Sequence, residues 1–329
     1  MHTLVLDRHD VKSNASLVEV VDAVEDAFAA YQRGDVQMPA KSYVNLSRYN
    51  GDFRSMPAYL DAHDWDAAAV KWVNVHPDNP ENHDLPTVMG TLIYSDPETG
   101  YPRSIMDGTT ITRLRTGAAA AVATNHLAID DASSLGIVGA GVQSYSQLEA
   151  IREVRDIERV VVADQRPSAI DRFVDRFEAE VDVRGGSIPE AASCDVLSTV
   201  TPVESPIVDR ADVGDHTHVN AMGADAPGKH ELDVAILRDA MLVIDDREQC
   251  IHSGEINVPL TEGTLAESDI DAELGAIVTG DAAGRTADDG ITVFDSTGLA
   301  IQDVATAHVI YERARRGDAG TPFELVDEG

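Results

Sequence analysis

The feature that most constrains the fold of this chain is a glycine-rich segment near its middle. Residues 135–151 have the sequence LGIVGAGVQSYSQLEAI, in which an apolar run is followed by Gly139 and Gly141 and then by apolar residues at helical spacing. This order predicts a β-strand, a tight turn and an α-helix. The first glycine allows a sharp turn, and the second allows a pyrophosphate to approach the main-chain N–H groups at the start of the helix. The segment predicts a dinucleotide site, although Ser144 replaces the usual third glycine.

A second apolar run supports this prediction and bears on the choice of coenzyme. Residues 159–163, RVVVA, are predicted to form a buried strand, and Asp164 follows them. A carboxylate at this distance from the glycines binds the ribose 2′-hydroxyl of an adenosine, which favours NAD. Arg166 could pair with a 2′-phosphate instead, so NADP remains an alternative.

The charge balance excludes several classes of partner. The chain has 58 acidic and 25 basic residues, a formal net charge of −33. Such a surface repels nucleic-acid phosphates and anionic lipids, so we expect neither partner. It also repels itself in dilute salt, and concentrated counterions relieve that repulsion, so we expect a halophilic protein. The sequence has no long apolar run and no signal peptide, which predicts a cytoplasmic location.

The strand and helix patterns predict two parts of different architecture. The first 110 residues predict one helix, which ends at Gly34, and an antiparallel meander with a hairpin turn at Asn50-Gly51. After an alanine-rich helix at residues 112–127, strands and helices alternate, which is typical of a parallel, doubly wound sheet. The final predicted helix, residues 299–316, has no strand after it and is expected to return to the first part. We therefore predict a domain of residues 116–298 inserted in an α+β domain of residues 1–115 plus 299–329.

Three basic residues are candidates for binding an anion. The chain has only four lysines, Lys12, Lys41, Lys71 and Lys229, so each that remains is more informative than usual. Lys71 and Arg54 lie on predicted strands, where a cation among apolar neighbours needs an anionic partner. A substrate carboxylate or a structural Asp or Glu would supply one. Arg115 lies in the helix that leads to the glycine turn, where a phosphate contact is equally well supported.

A glycine-containing segment after a later strand supplies further candidates. Residues 220–233, NAMGADAPGKHELD, predict a loop at the carboxyl edge of the sheet, where ligands bind in open α/β folds. Asp225 and Lys229 in this loop are candidates for acid/base chemistry and anion binding, and a solvated or capping role is the alternative for Asp225. Thr201, after another predicted strand, is expected to line the coenzyme pocket. The histidine spacings predict no metal site, and the absence of a GxSxG segment argues against a hydrolase.

Taken together, these segments resemble the ornithine cyclodeaminase/mu-crystallin family over nearly the full length, and within it the archaeal alanine dehydrogenase branch. The matching segments are QMPAKSYVNL, GDFRSMPAYL, VKWVNVHPDNP, LPTVMGTLIYSDPETGYP, MDGTTITRLRTGAAAA, GAGVQSYSQLEA, NAMGADAPGKHELD, SGEINV and ITVFDSTGLAIQDVA. Ser144 follows the GxGxQ form of that family. The resemblance implies a homodimer joined through the sheets of the first domain, which would also bind substrate, and a Rossmann domain that binds NAD or NADP.

The resemblance also implies roles for single residues. Arg54 and Lys71, with Lys41, would bind the substrate, and Lys71 and Asp225 would be catalytic, Asp225 as the acid/base that handles water and ammonia. The coenzyme would be lined by Thr87, Arg115, Thr116, Gly139, Ala140, Gly141, Val142, Gln143, Asp164, Arg166, Thr201, Lys229 and Ser296.

The implied reaction is the reversible NAD(P)-dependent deamination of L-alanine to pyruvate and ammonia. One alternative is ornithine cyclodeamination, for which Arg54 and Lys41 are poor partners of a second ammonium group. The other is an NAD(P)-binding ketimine reductase or carrier similar to mu-crystallin.

Overall fold

The computed structural model describes residues 2–326. Its strands are β1 Thr3–Leu6, β2 Val36–Gln37, β3 Ser42–Leu46, β4 Gly51–Asp61, β5 Asp66–Val75, β6 Val88–Ser95, β7 Pro102–Asp107, β8 Ser134–Val138, β9 Arg159–Ala163, β10 Asp182–Gly185, β11 Val196–Thr199, β12 His218–Ala221, β13 Met241–Ile244, β14 Ala272–Glu273, β15 Thr292–Asp295 and β16 Thr321–Phe323. Its helices are α1 Arg8–Asn14, α2 Leu17–Arg33, α3 Asn79–Asn82, α4 Gly108–Leu127, α5 Val142–Ile151, α6 Pro167–Phe177, α7 Ile188–Ala192, α8 Val234–Asp239, α9 Arg247–Ser253, α10 Asn257–Thr261, α11 Leu274–Val278 and α12 Ala300–Arg316.

These elements form two compact units, Met1–Arg115 with Leu299–Gly329 and Thr116–Gly298. The sheet of the first unit has the strand order β16-β1-β7-β6-β5-β4-β2, with β3 paired to β4. Strands β4 to β7 are antiparallel neighbours, as their alternating sequence predicts.

The prediction that the first part is a plain meander with one helix was wrong in two respects. Strand β1 is parallel to β7 and antiparallel to β16, and β16 follows α12, after which the sequence predicted no strand. The segment between β1 and α2 forms a further helix, α1, because Asp7 caps it by accepting hydrogen bonds from the N–H groups of His9 and Asp10. A seven-residue helix with a single buried residue, Val11, gives no periodic signal.

Alternation along β4 and β5 divides the first sheet into two faces. Met56, Ala58 and Leu60 of β4 are buried on the face that α2 and α12 cover, and Lys71 of β5 points to the same face. Trp72, the next residue, points to the opposite face and is 45% exposed. The first sheet therefore combines a packed face that contains a lysine with a face that retains exposed apolar side chains.

The second unit contains a sheet in which every strand pairing is parallel. Its order is β10-β9-β8-β11-β12-β15-β13-β14. Apolar clusters cover both faces: Leu148 and Phe173 of α5 and α6 pack on one, and Ala191 and Ile236 of α7 and α8 on the other. This arrangement confirms the predicted α/β class with a doubly wound parallel sheet. The short elements β14 and α9 to α11 were not predicted, because two to seven residues are too few to show a period.

Candidate functional site

The glycine turn of the second unit has the geometry that a phosphate contact needs. Gly139 has a φ of +103°, and its N–H donates to the carbonyl of Ala163 at 2.8 Å. A Cβ on Gly139 would lie 2.9 Å from Cγ2 of Thr201, whereas a Cβ on Gly141 would have no heavy atom within 4 Å. Gly141 is the N-cap of α5, and the next side chain, Val142, is 64% exposed. The backbone at the start of α5 is therefore open to a ligand, which fits a pyrophosphate.

Asp164 follows β9 and faces this turn. Its Oδ2 accepts a hydrogen bond from the N–H of Ala140 at 2.8 Å, and its Oδ1 accepts from the backbone N–H and Nε of Arg166 at 2.8 and 3.1 Å. Burial alone would raise the pKa of Asp164, but the hydrogen bonds from Arg166 and Ala140 outweigh it and lower the pKa. Asp164 is therefore a carboxylate at neutral pH, and the Arg166 side chain is held beside it while 65% exposed.

A cavity of about 470 Å³ lies at the carboxyl ends of the strands around Asp164. Its volume is within the usual range for small-molecule sites. The lining is mainly apolar, with Asp164 and Arg166 as its charged groups: Val138, Gly139, Ala163, Asp164, Gln165, Arg166, Gly186, Ser187, Ile188, Thr201, Pro202, Val203 and Ile207. An adenosine fits these dimensions and this chemistry.

Lys71 and Arg54 of the first unit lie on the same face of neighbouring strands. Lys71 is opposite Met56 in the β4–β5 register, and Arg54 precedes Met56 by two residues. Both cations have the carboxylate partners that the sequence left as an alternative. Lys71 Nζ donates to Oδ1 of Asp303 at 2.7 Å and to Oγ1 of Thr112 at 3.1 Å, and Arg54 Nε donates to Oδ1 of Asp52 at 3.0 Å.

Arg115 shares the carboxylate that holds Lys71. Its Nε lies 3.5 Å from Oδ1 of Asp303, and its Nη1 donates to Oε1 of Gln302 at 3.1 Å. Gln302 is buried, and its Nε2 has no hydrogen-bond partner among residues 2–326. Two buried cations thus share one carboxylate, which leaves one positive charge for an anionic ligand to balance.

The pKa of Lys71 reflects these competing effects. Burial lowers the pKa to about 8, and the charge of Asp303 acts in the opposite direction. The charges of Arg115 and Lys41 lower it further. Lys71 is therefore a cation at neutral pH that can release its proton at moderately alkaline pH.

Asp225 and Lys229, which the sequence gave separate roles, form an ion pair. Lys229 Nζ donates to Oδ1 of Asp225 at 2.7 Å, and both side chains are partly exposed. Asn257 fixes the backbone of this loop by two hydrogen bonds: its Oδ1 accepts from the N–H of Gly228, and its Nδ2 donates to the carbonyl of Lys229. The loop therefore has a fixed backbone and an accessible carboxylate.

The sequence gave no indication of Glu231, which connects the loops after β11 and β12. Its Oε1 accepts from the N–H and Oγ1 of Thr201 at 2.8 and 2.6 Å, and its Oε2 accepts from the N–H of Gly223 at 3.0 Å. Glu231 is fully buried, and burial raises its pKa. Among 58 acidic residues nothing in the local sequence distinguishes it.

Three more buried carboxylates extend this arrangement along the sheet edge. Glu255 accepts hydrogen bonds from the N–H groups of Glu231 and Leu232, and Asp295 accepts from the N–H of Glu255. Burial raises the pKa of Asp295 to about 7. Asp245 accepts from Oγ of Ser296 at 2.8 Å, so this predicted coenzyme residue has a protein partner. Asp245 follows the apolar strand β13, and Asp295 is the last residue of β15. An acid at the end of an apolar strand is a sequence signal that could have identified both residues.

The remaining predicted residues divide between the two units. Thr87 precedes β6, and its carbonyl accepts from the N–H of His76; Lys41 precedes β3. In the second unit, Thr116 is buried in α4, where its carbonyl accepts from Nε2 of Gln147, and Gln143 lies in the first turn of α5. The first unit thus holds the predicted substrate residues, and the second holds the glycine turn and Asp225.

No helix within residues 2–326 has the length and apolar character needed to cross a membrane. No three His, Cys, Asp or Glu side chains in that range come together as metal ligands.

Comparison with known proteins gives matches along nearly the whole chain. The sequence model of the ornithine cyclodeaminase/mu-crystallin family matches residues 1–318. An alanine dehydrogenase of Archaeoglobus fulgidus is 46% identical over 326 residues, 99% of this chain and 99% of that protein.

Two solved structures are similar over the same extent. An archaeal alanine dehydrogenase dimer with bound NAD has a TM-score of 0.94 and 46% identity, and the match covers 99% of this chain and 100% of that one. A Δ1-pyrroline-2-carboxylate reductase of Thermococcus litoralis, in complex with NADH and L-proline, has a TM-score of 0.93 and 37% identity, with 97% and 99% covered.

Proposed function

The chain belongs to the ornithine cyclodeaminase/mu-crystallin family, and we propose that it is an NAD-dependent alanine dehydrogenase that interconverts L-alanine with pyruvate and ammonia. The observation that carries this proposal is the pair of buried cations, Lys71 and Arg115, that share the single carboxylate of Asp303. A small amino acid or 2-oxo acid has the carboxylate that this charge arrangement lacks. The similarity to alanine dehydrogenases favours alanine among such substrates.

The residues proposed to hold the coenzyme are those of the glycine turn and of the cavity beside it. The N–H groups at the start of α5 would bind the pyrophosphate, and Asp164 would accept hydrogen bonds from the adenosine ribose. Arg166 is already paired with Asp164, which favours NAD over NADP, and the relatives described above hold NAD or NADH. When bound, the nicotinamide takes up the hydride that leaves C2 of the amino acid.

The substrate is proposed to be bound and polarised by the first unit. Arg54 would bind the carboxylate, and Lys41, Lys71 and Arg115 would add the positive charge that it balances. Lys71 would donate a hydrogen bond to the substrate carbonyl oxygen or, when hydride adds to the imine in the reductive direction, to the imine nitrogen, because negative charge develops at these atoms. Asp225 would take the proton from the water that attacks the imine carbon, and would return a proton as ammonia leaves. Lys229 donates a hydrogen bond to Oδ1 of Asp225 and would hold this carboxylate in position.

Reduction of a cyclic imine is a second candidate. The relative from Thermococcus litoralis binds L-proline, which has a carboxylate and a ring nitrogen on the same carbon. The same cations would suit that ligand. Cyclodeamination of ornithine is less well supported, because a second ammonium group would meet Arg54 and Lys41.

We also propose that the chain forms a homodimer through the uncovered face of the first sheet. Trp72 and Ile93 alternate onto this face and are partly exposed, although both are large apolar residues. The archaeal relative described above is a dimer. Sedimentation equilibrium in high salt tests this assembly.

A panel of substrates tests the enzymatic proposal. The purified protein, kept in molar salt, is mixed with NAD or NADP and with L-alanine, L-ornithine or L-proline, and the reduced coenzyme is followed by absorbance. We expect reduction of NAD with L-alanine and the reverse reaction with pyruvate and ammonia. Turnover with L-proline alone, or conversion of ornithine to proline, would overturn the proposed substrate.

A further inference from the structure

Asp303 lies in the first turn of α12, 232 residues after the lysine that it holds. The Lys71 and Asp303 side chains are 1% and 2% exposed. Lys71 lies on the middle of β5, whereas Asp303 is brought to the same sheet face by the packing of α12 on β4 and β5. The contact therefore depends on the tertiary structure and has no local sequence signal.

The start of α12 is built to hold this carboxylate in place. The N–H of Leu299, the residue that precedes α12, donates to Oε1 of Gln302, and the same oxygen accepts from Nη1 of Arg115. Asp303 is the next residue, and a carboxylate in the first turn is favourably placed in the electric field of the helix. The carboxylate thus has a fixed backbone, a favourable field and two cationic neighbours.

An ion pair retained for stability alone would be an unfavourable choice at this position. Burying two charges costs solvation energy that their attraction seldom exceeds, and apolar residues of similar size often stabilise a core as well or better. Here the cost is increased by Arg115, which brings a second cation to the same carboxylate. This excess of positive charge has an evident use if the lysine must meet an anion.

We propose that Asp303 is a positioning residue for Lys71, which holds the ammonium group at the sheet face and keeps it protonated for the substrate. Lys71 touches the substrate in this scheme, and Asp303 acts through it. The inference rests on the proposed function of Lys71, and it assigns a role to a residue outside the coenzyme and substrate sets given above.

The charged groups around Lys71 determine the direction of the expected effect. Asp303 contacts it from α12 and Thr112 from α4, and the charges of Arg115 and Lys41 also act on Lys71. Arg54 on β4 is paired with Asp52. Removal of the Asp303 charge leaves Lys71 among cations, so its proton should be lost at lower pH.

The small number of lysines makes a direct measurement possible. Protein labelled with ¹³C at the lysine ε-carbon gives signals from the four lysines of the chain, and the Lys71→Arg variant identifies the signal of Lys71. We expect this signal to titrate near pH 8 in the unaltered protein. In Asp303→Asn the midpoint should fall by about 1 to 3 pH units, which is the usual effect of one adjacent opposite charge.

Glu312→Gln is the matched control, because it removes a carboxylate from the same helix at a position paired with Arg315. Its Lys71 midpoint should stay within error of the unaltered protein. An unchanged midpoint in folded Asp303→Asn would overturn the proposal. Because the titration needs neither coenzyme nor turnover, it separates failure of this inference from failure of the proposed reaction.

A second variant decides the matter if Asp303→Asn does not fold. Asp303→Glu keeps the charge but moves the carboxylate by one methylene, so Lys71 should still titrate near pH 8 while its position changes. For Asp303→Glu we expect kcat with L-alanine to fall at least tenfold while the KM for NAD stays within twofold. If Asp303→Asn folds, it should lose its affinity for pyruvate at a lower pH than the unaltered protein does. An unaltered kcat in Asp303→Glu would show that the position of the carboxylate is unimportant and would overturn the proposal.

Discussion

Lys71 is surrounded by groups that favour opposite protonation states. Burial and the charge of Arg115 favour the neutral amine, whereas Asp303 favours the ammonium ion. The sequence left open whether this lysine pairs with a substrate or with a structural acid. In the structure the partner is Asp303, which Lys71 shares with Arg115. One carboxylate therefore does not neutralise both cations.

Replacing Lys71 by alanine tests its proposed role in the chemistry. We expect kcat with L-alanine to fall by about 10² to 10⁴, the usual contribution of a positioned proton donor, while NAD affinity changes by less than about threefold. The variant leaves Asp303 with Arg115 as its cationic partner, so the loss of stability should stay below the roughly 3–5 kcal/mol of a buried charge without a partner. Thermal unfolding and NAD titration by fluorescence should therefore accompany the kinetics.

The variant Lys71→Met controls for the lost volume, since it keeps a side chain of similar length and leaves Asp303 paired with Arg115. It should recover much of the stability and none of the turnover. Equal losses of NAD affinity and kcat in Lys71→Ala would instead place Lys71 in the coenzyme site or in the folding core.

Asp164 is the residue expected to set coenzyme preference. In Asp164→Ala we expect NAD to bind about 10- to 100-fold more weakly, because charge-assisted hydrogen bonds to the ribose contribute about 1.5–3 kcal/mol. Arg166 would lose its partner, so NADP should bind better relative to NAD. Glu158→Gln, an exposed change just before β9, is the control. Unchanged NAD affinity in Asp164→Ala, measured by titration, would contradict the assignment.

At the scale of elements, the ends of the parallel strands are held together by buried carboxylates. Glu231 connects the loops after β11 and β12, and Glu255 in turn accepts from the backbone of Glu231. A Cβ on Gly223 would lie 2.3 Å from the carbonyl of Thr201 and 2.4 Å from Oε2 of Glu231, so these loops approach as closely as glycine allows. The side chain of Glu231 therefore sets the distance between Thr201 and the loop that contains Asp225.

Glu231→Gln tests this connection with almost no change in size. An amide offers one oxygen acceptor where the carboxylate offers two, so either Thr201 or Gly223 loses its acceptor. We expect about 1–3 kcal/mol lower stability and weaker NAD binding, because a buried donor is left unsatisfied. Glu204→Gln, an exposed change in the loop that contains Thr201, should alter neither. Unfolding by denaturant and NAD titration measure both effects, and wild-type behaviour of Glu231→Gln would contradict the connecting role.

Local patterns predicted the elements that are long enough to show a period. Alternation placed Arg54 and Lys71 on strands, and the glycine turn identified β8 and α5. The pairing of β1 with β7 and β16 was not predictable, because it depends on residues about 100 to 320 positions apart. The partners of Lys71 and Thr201 were missed for the same reason: Asp303 and Glu231 become distinctive only when burial separates them from the many exposed acids.

At the scale of the whole molecule, the negative charge has two parts with different consequences. Burial raises the pKa of Glu231, Glu255 and Asp295, so each of these acids ionises less readily than an exposed acid and adds less to the repulsion. Most of the 58 acidic residues are not buried, and these produce the repulsive field. One surface groove gathers five of them: Asp130, Asp131, Glu153, Asp156 and Glu158.

The folded state should therefore depend on salt. The screening length is about 10 Å at 0.1 M salt and about 3 Å at 1 M, so repulsion between neighbouring surface acids is largely removed only in concentrated salt. We expect the thermal midpoint, followed by circular dichroism, to rise by roughly 10 °C or more between 0.1 and 2 M KCl, since several kcal/mol of repulsion are relieved and about 1 kcal/mol corresponds to a few degrees.

A variant with amides at the five groove positions separates screening from general salting-out effects. Because it removes five negative charges, its midpoint should be higher than that of the unaltered protein at 0.1 M KCl, and the two should converge at 2 M, where the charges no longer repel. Parallel salt curves for both proteins would mean that salt acts by strengthening apolar burial rather than by screening. A midpoint that is independent of KCl in the unaltered protein would contradict the expectation that this chain is adapted to salt.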